Sequence, residues 1–145
     1  MMDDNMISWV IEGKLARSSR PGFDGDYGDR GTMVSKTEVD QWLKEVDKLG
    51  VRSIICFLND EHLYLYENIP GGLIAYYQEN GFEVAHIPAK DYKMPPLSAK
   101  ELKEAGHAYI KLPKPVLVHC SAGVGRTGEA IHYLLRLEKK LLQEE

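Results

Sequence analysis

Apolar and polar positions along the chain group into short strand-like runs and longer stretches of helical spacing. Ile7 to Ile11 and Lys14 to Arg17 read as two short strands joined at Glu12-Gly13. Ser35 followed by Glu38 forms a capping box, with Val34 and Val39 placed as a hydrophobic staple. Val39, Trp42, Leu43 and Val46 then recur at helical spacing until Gly50, which predicts a helix over 36–49. Val51 to Leu58 is β-branched and apolar, Leu73 to Asn80 reads as a helix stopped at Gly81, and Phe82 to Ile87 alternates as a strand. Strand, helix, strand in that order is a βαβ unit and hence a parallel pair. A second capping box, Ser98 with Glu101, and a second staple, Leu97 with Leu102, open a helix that has to end before Pro113. Pro115 to His119 forms a buried strand, and a last helix runs from near Arg126 to about Leu142. The elements add up to an α/β chain: a single compact three-layer domain over 1–145, its central, mostly parallel sheet flanked by helices.

Composition narrows the classes of function without choosing among them. At 145 residues, one domain and one active site are expected, and 43% hydrophobic with 28% charged residues is ordinary for a globular domain. A net charge of −4 provides no broad positive field for nucleic acid or an anionic membrane. No apolar run approaches the ~20 residues that span a bilayer, and no signal-peptide pattern precedes Met6, so a cytoplasmic location is expected. Recognition of an anionic ligand therefore has to be local. The two cysteines, Cys56 and Cys120, each sit in a strand-like run, which is the wrong pattern for a disulfide scaffold or a zinc site.

The chemistry is concentrated between the last strand and the last helix. His119-Cys120-Ser121-Ala122-Gly123-Val124-Gly125-Arg126-Thr127-Gly128 places a cysteine at the end of a strand and an arginine six positions later at the start of a helix. Gly123 and Gly125 allow a tight turn that points N–H groups inward, and the helix dipole adds positive potential at the same place, so Ser121 to Arg126 forms an anion cradle. Arg126 offers a bidentate fork to two phosphoryl oxygens, a geometry that lysine cannot reproduce. The same environment favours a thiolate, so Cys120 is expected to be a nucleophile at neutral pH.

These ten positions resemble the signature loop of the protein tyrosine phosphatase superfamily, in the spelling of its tyrosine-specific branch. The wider layout, over about residues 7 to 142, is similar to compact dual-specificity and small prokaryotic phosphatases. The resemblance implies that Cys120 attacks phosphorus and that Ser121, Ala122, Gly123, Val124, Gly125 and Arg126 hold the phosphate. It implies further that His119 tunes the thiolate and that Thr127 eases its departure. No cofactor or metal is implied. Phosphate or sulfate can occupy the loop.

A phosphoester leaving group needs a proton, and Asp91, in the proline-bounded loop Pro88 to Pro96, is the candidate acid. The family carries its acid on a similar loop; Asp60 and Glu61 are the reserves. Nineteen residues follow Arg126, where relatives continue into further helices, so the family's residue for the hydrolytic water is not identified. Asp91 is then also the base for the second step, with hydrolysis of the intermediate expected to be slow or to leave the water more loosely held. Glu129, in the first turn of the last helix, is read as solvated and structural. Cys56 is read as core packing, although in some relatives a second cysteine forms a protective disulfide with the nucleophile. Asp24, Asp26 and Asp29 lack the closing glutamate of a calcium loop, so 21–31 is read as a solvated or lid-like loop. His62, His86, His107 and His132 form no ligand-spaced cluster and are read as structural or exposed.

The reading is a phosphoric monoester hydrolase acting on phosphotyrosine in a protein or peptide, with phosphoserine and phosphothreonine as further substrates. The loop interior carries no lysine, and inositol-phosphate relatives commonly place basic residues there, which favours a singly phosphorylated ester. The alternatives are a non-catalytic phosphopeptide-binding module, a phosphatase of inositol phosphates or RNA 5′ ends, and sulfur transfer on a rhodanese-like domain. Arginine spacing and the trailing Thr127-Gly128 fit the last of these poorly.

Overall fold

A computed structural model describes residues 7–23, 32–91 and 93–143. β1 (Ser8–Ile11) turns back through Gly13 into β2 (Leu15–Ser18), an antiparallel pair. The remaining pairings are parallel. β2 pairs with β5 (Val116–His119), β5 with β3 (Ser53–Cys56), and β3 with β4 (Glu83–His86), giving the order β1-β2-β5-β3-β4.

Helices cover both faces of this sheet, which is why β3 and β5 are buried along their whole length and do not alternate between apolar and exposed polar residues. Ile54, Cys56, Leu58 and Leu117 share one core with Val39, Trp42 and Val46 of α1 (Lys36–Lys48) and Leu73 and Tyr77 of α3 (Gly72–Glu79). Ile55, Phe57, Val116 and Val118 share the other with Ala105 and Tyr109 of α4 (Ala99–Lys111) and Ala130, Ile131 and Leu134 of α5 (Gly125–Gln143). The three-layer α/β architecture expected from the pattern is therefore present.

Both capping boxes form. Ser35 Oγ accepts from Glu38 N at 3.2 Å while Ser35 N donates to Glu38 Oε1 at 3.0 Å. Ser98 and Glu101 make the equivalent pair at 3.1 and 2.9 Å. Each box satisfies two backbone donors that a helix start leaves unpaired, a contribution of about 1 kcal/mol.

The differences from the predicted elements lie at ends and in one connection. The predicted strand 51–58 is hydrogen-bonded as a ladder only over Ser53–Cys56, the strand at 14–17 lies over Leu15–Ser18, and the last helix begins at Gly125. A short helix, α2 (Asp60–Leu63), and a 3₁₀ turn over Tyr64–Tyr66 follow β3, where the sequence predicts no element. Four residues are too few to show a helical period. The aspartates 24, 26 and 29 of the predicted loop lie outside the described residues.

This topology positions the site. β5 enters last, between β2 and β3, so the carboxyl ends of three parallel strands border the turn that follows it, the usual place for a ligand in an open parallel sheet.

Candidate active site

Ser18 of β2 and Cys56 of β3 lie opposite His119, so the next residue, Cys120, is delivered to the middle of the sheet's carboxyl edge. The turn after it is held from outside by β2 and the residues that follow it. Arg17 Nη2 donates to Gly123 O at 2.7 Å, Arg20 N donates to Ser121 O at 2.8 Å, and Arg20 Nε donates to Ser121 Oγ at 3.1 Å. Gly123 has φ of +81°, and a Cβ on it would stand 2.7 Å from the carbonyl oxygen of Ser18. Only glycine fits both the left-handed backbone and that close approach.

Arg126 is 2% exposed and its guanidinium is divided in use. Nη1 donates to Phe57 O at 3.1 Å and to Ala89 O at 2.6 Å, which fixes the plane of the fork against the ends of two strands. Nε and Nη2 have no hydrogen-bond partner among the described residues. Asp91 Oδ2 stands 3.3 Å from Nη2 as an ion pair. A buried guanidinium edge with two unspent donors is a site for an anion with two oxygens in one plane. Thr127 follows, fully buried, its Oγ1 also without a partner among the described residues.

His119 is buried behind the cysteine. Its Nδ1 lies 2.9 Å from Cys120 O and its Nε2 2.9 Å from the Tyr77 hydroxyl. A carbonyl can only accept, so Nδ1 carries the proton and Nε2 accepts from Tyr77. Burial holds the imidazole neutral and brings its pKa down to about 4; the bond to Cys120 O opposes this, and Arg126, Arg20 and His86 reinforce it. Trp42 and Tyr77 wall the ring at 5.5 and 5.9 Å between centroids.

The predicted residues are thus brought together: Cys120 at the strand end, Ser121 to Arg126 as the turn, His119 beneath it, Thr127 beside it, and Asp91 against Arg126. Asp60 and Glu61 are exposed on α2, and it is Asp91 that pairs with the arginine. Cys56 is fully buried, and burial pushes its thiol up to about 12, as expected of a core residue. Glu129 is half-buried in an open groove shared with His132 and Arg136.

A family model described as "Polymorphic toxin system, DSP-PTPase phosphatase" matches residues 31–138, more than half of the chain. The chain belongs to this phosphatase family. Solved structures agree on the fold. Tk-PTP in a mutant form is 22% identical with a TM-score of 0.59, the match covering 92% of this chain and 73% of that one. The core catalytic domain of the PP-IP phosphatase SIW14 from S. cerevisiae, in complex with citrate, is 21% identical at 0.59, covering 92% and 66%. The kinase associated phosphatase, with its catalytic-site cysteine replaced by serine, is 21% identical at 0.62, covering 92% and 76%. No match was found among curated proteins.

Arg17, Arg20 and Asn59 are given no part in the site by the sequence reading. Arg17 and Arg20 hold the loop, and their charge in a run of serines gives no sign of this. Asn59 and His62 carry buried side-chain atoms without partners, Oδ1 and Nδ1, among the described residues. The expectation that His62 is structural or exposed is refined: it is 5% exposed, and burial, Arg20 and Arg126 lower its pKa. The signal that could have marked it is position, since it follows a strand whose end borders the cradle.

Proposed function

We propose that this chain is a protein phosphatase that hydrolyses phosphotyrosine by a two-step reaction through a cysteinyl-phosphate on Cys120. The observation that carries the reading is the state of Arg126: Nη1 is spent on Phe57 and Ala89 carbonyls, while Nε and Nη2 make no hydrogen bond beside the cysteine's loop and Nη2 is only ion-paired with Asp91. In this reading the phosphate dianion takes those two donors and the amides of Ser121 to Arg126. Cys120 Sγ attacks phosphorus, the P–O bond to the tyrosyl group breaks, and Asp91 gives the departing oxygen its proton. Water then attacks phosphorus, the P–S bond breaks, and the thiolate leaves with help from the Thr127 hydroxyl.

The side chains of Ser121 to Gly125 are neutral, which suits a single phosphate better than a polyphosphorylated ligand. The test is hydrolysis of para-nitrophenyl phosphate and of phosphotyrosine and phosphoserine peptides in EDTA, with Cys120→Ser as the control. Turnover by wild type, abolished in Cys120→Ser and fastest on phosphotyrosine, is the expected result. Binding of the peptides without turnover would replace the enzyme by a phosphopeptide-binding module.

A further inference from the structure

Among the described residues, five buried side-chain atoms lack a hydrogen-bond partner: Arg126 Nε and Nη2, Thr127 Oγ1, Asn59 Oδ1 and His62 Nδ1. Leaving such atoms unpaired costs about 1–3 kcal/mol each, and native structures keep few of them without a use. Three belong to the phosphate loop, where a ligand supplies the partner. Of the other two, Asn59 ends the turn joining β3 to α2 and His62 lies within α2; the Phe57 carbonyl of that turn is bonded to Arg126 Nη1. Through that bond the turn borders the arginine of the same site, and Arg20, Arg126 and Asp91 all act on His62.

Asn59 occupies the position that caps α2, yet its side chain makes no capping bond. Its Nδ2 is used on Glu61 Oε1 at 3.2 Å, which turns Oδ1 the other way. The backbone carbonyl of Asn59 receives the amides of His62 and Leu63 at 3.1 and 3.0 Å, locking the two side chains onto one tight turn. Oδ1 is an acceptor only, and it would repel a phosphoryl oxygen; the fitting ligand donates hydrogen bonds. A neutral imidazole adds a second acceptor.

We propose that Asn59 and His62 position the water that hydrolyses the cysteinyl-phosphate. This rests on the two-step reading above. The water directs one proton to this turn and the other to the Asp91 carboxylate. Its oxygen bonds to phosphorus, the P–S electron pair returns to Cys120 as thiolate, the proton moves to Asp91, and inorganic phosphate leaves. Asn59 and His62 are positioning residues for the second step and are not required in the first.

Rapid mixing with para-nitrophenyl phosphate separates the steps, since the first releases p-nitrophenol as a burst and the second sets the steady rate. In His62→Phe and Asn59→Ala, the burst rate is expected to stay within about threefold of wild type while the steady rate falls about 10–100-fold, in the range of a lost acid–base or positioning group. Phosphorylated Cys120 should accumulate in quenched samples, and His62→Gln, which keeps a donor and an acceptor, should recover most of the rate. Burst and steady rate falling together, or neither changing, would overturn the assignment. Should His62→Phe prove insoluble, Asn59→Ala and His62→Gln decide by the same two rates. Undiminished turnover by Cys120→Ser removes the two-step reading itself, and this inference with it.

Discussion

Asp91 Oδ2 lies 3.3 Å from Nη2 of Arg126, one of the two guanidinium nitrogens left for a ligand. One donor cannot serve two anions equally, so an arriving phosphate competes with the Asp91 carboxylate for Nη2. In the reaction proposed above, capture of phosphate by Arg126 is therefore coupled through this ion pair to the placement of Asp91.

Asp91→Asn separates these two functions. Turnover of a phosphotyrosine peptide should fall by about 10²–10⁴, the range for loss of a general acid. Inorganic phosphate should inhibit better, by roughly two- to fivefold, because a pair with a partly exposed carboxylate is worth at most about 1 kcal/mol. Steady-state kinetics with phosphate as competitor reads both, and phosphate inhibition weakened in parallel with turnover would refute the competition.

Gly123→Ala tests the cradle's dependence on one backbone position. Its added Cβ would meet Ser18 O at 2.7 Å, Ser18 C at 2.8 Å and Ser19 N at 2.9 Å, all main-chain atoms at the end of a paired strand. Neither side can yield cheaply, and the positive φ adds strain of order 1–3 kcal/mol. Denaturant unfolding should show a loss of at least about 2 kcal/mol, and phosphate binding by calorimetry should disappear even where the protein remains folded.

What the sequence revealed and what it hid divide along physical lines. Both capping boxes were legible because capping is local: Ser35 with Glu38 and Ser98 with Glu101 carry their own geometry. The cradle was legible for the same reason, being ten consecutive residues with a glycine, Gly123, where the backbone demands one, although Gly125 proves under no such demand. Arg20 was not, since its role depends on meeting Ser121 across the sheet's end. Asn59 and His62 were hidden because what marks them is an absence of partners, which appears only after packing. The Asp91–Arg126 pair fell between: the loop was readable, while the contact joins the loop after β4 to the first turn of α5 and appears only on folding.

Acid should weaken the fold through its buried imidazoles. His119 has its pKa brought from 6.5 to about 4 mainly by burial, and His62 is shifted in the same direction, again first by burial. His119 stays neutral in the folded protein down to about 4, whereas an unfolded chain protonates it below 6.5. The unfolded state therefore binds more protons as pH falls from 6.5 toward 4, and stability declines across that window by about 1.4 kcal/mol per pH unit for this group, with His62 adding in the same direction. Above 6.5 the contribution is complete. Urea unfolding of wild type and His119→Gln at pH 4.5 and 7 should give a smaller difference between the two pH values in the variant, whose amide can still accept from Tyr77.

Arg20 offers a last test, of whether the cradle needs a second buried cation. It is 1% exposed, and besides Ser121 it donates from Nη1 to the Tyr66 hydroxyl at 3.2 Å, which in turn donates to Pro21 O at 2.6 Å. These partners are neutral, so the guanidinium's charge is available to an anion in the neighbouring loop. Arg20→Met should cost about 1.5–3 kcal/mol in stability, as expected for bonds from a charged donor, and should weaken phosphate inhibition about tenfold. Charge acts over a distance and the fork only in contact, so Arg20→Lys should recover phosphate inhibition more fully than stability. Equal loss of phosphate inhibition in Arg20→Lys and Arg20→Met would show that Arg20 acts through the geometry of Ser121 alone.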